Sequence, residues 1–101
     1  MKPYFVKIHP AAIKDLDALY CHIADVYMAP FTARKYRDSL MEVILALSRY
    51  GPMLAPSQNE RLIALYGPGV RTTTYKKMSI VYLVADDTVY VLRILPGQQI
   101  H

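Results

Sequence analysis

Residues 30–52, PFTARKYRDSLMEVILALSRYGP, hold the longest unbroken periodic pattern in the chain. Ala33, Tyr36, Leu40, Val43, Leu47 and Tyr50 recur at spacings of three and four, which puts them on one face of a helix. Arg34, Lys35, Arg37, Asp38 and Glu42 fall on the other faces. Pro30 suits a first helical position, where its missing N–H costs nothing. Gly51-Pro52 ends the segment by the usual order of glycine and then proline.

Upstream, Ile13, Leu16, Tyr20, Ile23 and Tyr27 keep the same spacing and predict a helix from about Pro10 to Tyr27. Met28-Ala29-Pro30 is a short break, so the two helices are expected to pack as an antiparallel pair. Tyr4 to Ile8 alternates and reads as a short strand.

Downstream the pattern turns to β. Met53 to Asn59 reads as a loop, and Leu62 to Tyr66 as a strand turned by Gly67-Pro68-Gly69. Val70 to Lys76 and Met78 to Ala85 follow. Ile80-Val81-Tyr82-Leu83-Val84 is apolar on both faces, which marks a covered central strand. Asp86-Asp87 turns the chain into the last strand, Thr88 to Leu95, stopped by Pro96-Gly97. The expected order is β-α-α-β-β-β-β, an α+β fold with a helical hairpin packed on one face of an antiparallel sheet. With 101 residues the chain is expected to form a single domain over residues 1–101.

Composition excludes several classes. Hydrophobic residues make up 53% of the chain, too many for a disordered tail. Cys21 is alone, so there is no disulfide scaffold. No apolar run reaches the ~18 residues of a membrane span. The start, Met1 to Ile8, lacks the apolar core of a signal peptide. With one free cysteine, this points to the cytoplasm. Twelve Lys/Arg against eight Asp/Glu give a net charge of +4, which permits an acidic partner or a nucleic acid.

Motifs for metal, phosphate-loop or nucleophile chemistry are absent. Cys21 and His22 are neighbours on a helix and point apart, and no CxxC or HExxH accompanies them, so no metal or cofactor is expected. Gly67-Pro68-Gly69 lacks the strand-to-helix context of a dinucleotide loop and fits a turn. The bases are more informative. Arg61, Arg71, Lys76 and Lys77 lie in a stretch, 61–85, without an acid, and Arg93 follows in the last strand. Tyr75, Tyr82 and Tyr90 share these strands, and aromatics among bases can stack on nucleobases or meet an acidic protein segment. Equally, the bases can be solvated while the tyrosines fill the core. Arg93 interrupts Val89-Tyr90-Val91-Leu92-Arg93-Ile94-Leu95; strict alternation puts it with Val89 and Val91. A guanidinium there needs a buried partner or a ligand.

Taken in order, these segments resemble the RelE/ParE superfamily of bacterial type II toxins, and its ParE-like branch in particular. YFVKIHPAA (4–12) is similar to the family's opening strand and helix start. Asp15-Leu16 with Ile23 and Tyr27 is similar to its first helix, and residues 30–36 to the start of its second. Tyr50-Gly51-Pro52-Met53, Val70-Arg71 with Tyr75, Ile80-Val81-Tyr82, and residues 89–95 with Gly97 and Gln99 complete the likeness. The resemblance implies a toxin neutralised by a cognate antitoxin. ParE-like members inhibit DNA gyrase by binding, whereas RelE-like members are ribosome-dependent mRNA endonucleases. Ribonuclease members usually carry an arginine where this chain has Ser79, which favours the non-catalytic reading over an enzyme. His9 stands where a serine helix cap is common, and Pro96 and Gln98 where the tail often has histidine and arginine. A weakened toxin that only binds its antitoxin is a third reading. Target- or nucleic-acid-binding candidates are Arg61, Arg71, Lys76, Lys77, Arg93, Gln98 and Gln99, with His101 a possible acid in the ribonuclease reading. Antitoxin-binding candidates are Tyr75, Tyr82, Tyr90 and Arg93.

Overall fold

The computed structural model describes residues 2–97. Strand β1 (Phe5–Ile8) leads into α1 (Pro10–Cys21), whose last turn widens into a π-type turn at His22–Val26. Helix α2 (Pro30–Tyr50) ends in a 3-10 turn at Gly51–Met53. Then come α3 (Glu60–Tyr66), β2 (Arg71–Tyr75), β3 (Met78–Ala85) and β4 (Thr88–Pro96). The fold is α+β: three helices against one four-stranded sheet of order β1-β4-β3-β2.

Helix α1 starts at Pro10 because His9 is extended (ψ 145°) and its Nδ1 accepts the Ala11 N–H at 3.1 Å. The histidine thus does the capping work of the serine common at this position. Helix α2 starts at Pro30 without a side-chain cap. Between the helices, Met28 takes a left-handed φ of 50°.

The core lies between the hairpin and the sheet. Ala12 and Leu16 of α1 and Leu40, Ile44 and Leu47 of α2 meet Ile80, Tyr82, Val89, Val91 and Ile94. The predicted α2 stripe is in place, with Ile44 added to it. On α1 the buried face sits slightly off the predicted one. Ala12, Leu16 and Leu19 pack inward, while Ile13 and Tyr27 are exposed. Cys21 is exposed as well.

Two expectations are corrected. Residues 60–66 form a helix, so the order is β-α-α-α-β-β-β. Asn59 is extended, and its Oδ1 accepts the Leu62 N–H at 3.1 Å, while Gly67 closes the C-terminus at φ 93°. A five-residue apolar run cannot be assigned by periodicity alone, and here the caps decide. The sheet is also mixed. β2, β3 and β4 form the predicted antiparallel meander, but β1 runs parallel to β4, from Phe5 opposite Thr88 to Ile8 opposite Val91. The helical hairpin between β1 and the meander acts as the long crossover that a parallel pairing requires.

Helix α3 covers part of the sheet's second face. Leu62 and Val70 pack on Val81, with Ile63, Tyr66, Leu83 and Leu95 around them. The face opposite the hairpin is therefore partly covered as well.

Candidate interaction surface

The last strand carries a bulge. Val81 lies opposite Arg93 and Tyr82 opposite Val91, which leaves Leu92 as the extra residue. A bulge flips the alternation beyond it. Val89, Val91 and Ile94 consequently all face the hairpin, and Arg93 shares the α3 face with Val81. Strict alternation, which groups Arg93 with Val89 and Val91, is thereby corrected.

The bulge lies just beyond the end of β1, where the β4 edge is handed over to α1. His9 N–H donates to the Val91 carbonyl at 2.8 Å. One turn into α1, Asp15 takes over as acceptor. Its Oδ2 receives the Ile94 N–H at 2.9 Å and Arg93 Nε at 2.8 Å, and its Oδ1 receives Arg93 Nη2 at 3.0 Å. The carboxylate thus stands in for a missing strand neighbour and holds the guanidinium in a two-point fork. The hydrogen bonds to Asp15 raise the Arg93 pKa above its ordinary value against the opposing effect of burial, with Tyr66 adding a smaller push. Arg93 has the partner the sequence demanded, and that partner is Asp15.

The other bases separate. Arg61 is exposed on α3. Arg71 lies opposite Tyr82 on the hairpin side of the sheet, its Nε buried and unpaired among the described residues. Lys76 and Lys77 stay together in the β2–β3 turn. Lys76, at a left-handed φ of 54°, holds its ammonium 5.3 Å from the Tyr36 ring and 5.6 Å from the Tyr75 ring. Those two rings meet edge to face at 5.4 Å. Burial, and then the neighbouring Tyr75, raise the Tyr36 pKa. Both lysines line a cavity of about 400 Å³ with Thr74, Met78, Ser79, Pro96 and Gly97. Such a set can hold an anion, but among the described residues no histidine or carboxylate lines it to move a proton.

The tyrosines divide too. Tyr82 is completely buried, and its hydroxyl donates to the Gly51 carbonyl at 2.7 Å. Burial pushes its pKa up to about 12 against a lowering by Arg71. Tyr82 therefore ties α2 to the sheet and offers a partner no surface, which corrects its reading as an antitoxin contact. Tyr75 is half-buried against Tyr36, and Tyr90 is exposed on the α3 face beside Leu83. Gln98, Gln99 and His101 lie outside the described residues.

Two features escaped the sequence reading. At the hairpin tip, Val26, Tyr27, Met28 and Phe31 are 63%, 67%, 85% and 80% exposed. At the opposite end of α2, a groove is lined by Lys2, Pro3, Tyr4, Arg49, Pro52 and Met53. The signal for the tip was the break Met28-Ala29-Pro30 after Val26-Tyr27, which puts these large side chains at a turn between two helices.

The family model described as "ParE toxin of type II toxin-antitoxin system, parDE" matches residues 6–101. A solved structure of the chromosomal ParDE toxin–antitoxin system from P. aeruginosa is 28% identical, with a TM-score of 0.77 over 92% of this chain and 95% of that one. The RelBE2 toxin–antitoxin complex from Mycobacterium tuberculosis is 20% identical, with a TM-score of 0.66 over 93% of this chain and 98% of that one. That second likeness is one of fold. No curated protein matches the sequence.

Proposed function

Since the chain belongs to the ParE toxin family of type II toxin–antitoxin systems, we propose that it acts by binding, with DNA gyrase as its target, and that a cognate antitoxin neutralises it. One observation carries the preference for binding over catalysis. Ser79 occupies the strand position where ribonuclease-type members of the superfamily usually carry an arginine, and among the described residues the polar side chains lining the cavity beside it are Lys76, Lys77 and the hydroxyls of Thr74 and Ser79. Cleavage by a 2′-hydroxyl needs a base and an acid besides a cation. Arg93, the remaining cation on the last strand, is engaged by Asp15. The antitoxin is expected to be acidic, matching the chain's net charge of +4, with a segment that folds on the toxin.

Purified gyrase should lose supercoiling activity as this protein is added and regain it with the antitoxin. Supercoiling that continues at excess protein sinks the gyrase reading. The Lys76–Lys77 cavity supports a second reading, a ribosome-dependent mRNA endonuclease, with those lysines on the phosphate. In a translating extract that reading requires message cleavage that is lost on replacing both lysines with alanine. Intact message argues against it. Induced expression without growth arrest would leave a protein that only binds its antitoxin.

A further inference from the structure

The groove at the end of α2 has a composition that selects a ligand. It encloses about 500 Å³ between Lys2, Pro3 and Tyr4 on one side and Arg49, Pro52 and Met53 on the other. Its walls are fixed by the fold. Tyr4 N–H donates to the Ser48 carbonyl at 2.7 Å, which ties the segment before β1 to the last turn of α2. Pro52, inside the 3-10 turn, redirects the chain so that Met53 stands 74% exposed. The volume falls within the range of ordinary ligand sites, roughly 300–1,000 Å³.

Pro3, Tyr4, Pro52 and Met53 supply apolar surface, and methionine adapts its shape to what it meets. The ionised groups in the lining are Lys2 and Arg49, both cationic and both exposed. Among the described residues neither is in an ion pair, whereas Arg93 and Arg37 have Asp15 and Asp38 as partners. Among the described residues the groove therefore pairs an apolar wall with two cations outside any ion pair and no acid.

We infer that this groove takes an acidic, aliphatic peptide segment of the antitoxin, an inference that rests on the toxin–antitoxin reading above. Carboxylates of the segment meet Arg49 and Lys2, and an aliphatic side chain lies against Pro52 and Met53. Charge and polarity disfavour other occupants. A second copy of this chain brings a charge of +4 to a basic groove. A nucleic-acid backbone uses the cations but leaves the apolar wall in water, and such interfaces draw on many more phosphate contacts than two. A mixed acidic and aliphatic segment satisfies both parts of the lining.

The test is fluorescence anisotropy with the full chain and a short labelled peptide alternating glutamate and leucine. A second peptide has lysine for every glutamate. The acidic peptide should bind saturably and the basic one should not. Arg49→Glu and Met53→Asp should each weaken binding about tenfold or more, while Lys14→Glu, exposed on α1, leaves it unchanged. Equal binding of both peptides, or equal loss in Lys14→Glu and Arg49→Glu, overturns the assignment. Self-association of the free chain that Met53→Asp abolishes would give the groove to a second copy and overturn it too. Melting curves confirm that the variants are folded. Supercoiling, run on the same preparations, separates the two proposals. Inhibited gyrase without peptide binding removes the groove alone, and peptide binding with undisturbed gyrase removes the target alone.

Discussion

Asp15 and Arg93, 78 positions apart in the chain, form a two-point ion pair at 2.8 and 3.0 Å that also captures the Ile94 backbone N–H. Three donors converge on one carboxylate at the point where β4 outruns β1. The pair thus closes the seam between the helical hairpin and the sheet. Asp15 is mostly buried and Arg93 more open, with side-chain exposures of 17% and 38%. Solvent therefore screens part of the attraction.

Asp15→Ala should cost about 1–3 kcal/mol, because it strands a guanidinium and a strand-edge N–H together. Arg93→Ala should cost less. It leaves Asp15 with the Ile94 N–H and a path to water. Urea denaturation of both variants checks the order, and a milder effect of Asp15→Ala than of Arg93→Ala would contradict this account. Arg93→Lys keeps the charge but loses the fork, so it should fall between Arg93→Ala and the parent.

Tyr82 makes stability depend on alkaline pH. Its folded pKa is raised to about 12 from an ordinary 10.0. Above pH 10 the unfolded chain releases this proton while the folded one keeps it. Stability from this group is thus whole below pH 10 and drains away between pH 10 and 12, at no more than about 1.4 kcal/mol per pH unit. Tyr82→Phe loses the hydrogen bond to Gly51, a cost of about 1–2 kcal/mol at pH 8. The gap to the parent should narrow as pH climbs past 10. A constant gap between pH 8 and 11.5 would show that Tyr82 does not titrate this way. Tyr36, also raised, keeps some alkaline slope in the variant.

Gly51 and Gly67 are needed for different reasons, and substitutions separate them. Gly51 has an ordinary helical φ of −52°, but a Cβ there would meet Leu47 Cβ at 3.3 Å and Tyr82 Cε2 and Val89 Cγ2 at 3.4 Å. Gly67 has open space around it and a φ of 93°. Alanine at 51 is close to fitting, whereas valine should cost about 1–3 kcal/mol by overpacking. At 67, alanine alone should cost about 1 kcal/mol through backbone strain. Thermal melts of the three variants decide, and a benign Gly51→Val would remove the close-approach argument.

Much of this architecture was legible because its signals are local. Pro10, Pro30 and Gly51-Pro52 bracket the helices, and the apolar spacing of α2 marks its buried face. The partnership of Arg93 was legible only as a need. Asp15 lies at the far end of the chain, and the bulge at Leu92 that re-aims the strand has no local signature. The parallel pairing of β1 is equally non-local. Tyr82 is a contact candidate only because bases share its part of the sheet, although Val81 and Leu83 beside it are apolar, and nothing in the sequence says that its hydroxyl reaches Gly51. Helix α3 is different. Asn59, Glu60 in the first turn and Gly67 at the end are helix signals, and the short run Leu62-Ile63-Ala64-Leu65-Tyr66 hid them behind a strand-like look.

That cap carries the last prediction. Asn59 Oδ1 accepts the Leu62 N–H at 3.1 Å, and Asn59 N–H donates to Ser57 Oγ at 3.1 Å, so the loop and the helix start are fixed together. Helix α3 has only seven residues, too few to persist without its caps and its packing. Asn59→Ala should therefore cost about 1 kcal/mol and act locally. Amide exchange should quicken first at Ile63 and Gly67, whose N–H groups donate to Asn59 and Ile63 carbonyls. Exchange in α2 and at Tyr82 should stay near the parent rate, since the hairpin face has its own core. Uniform acceleration through α2 would mean that α3 unfolds only with the whole chain, and would remove the idea of a separately loosened cover over Val81, Leu83 and Leu95.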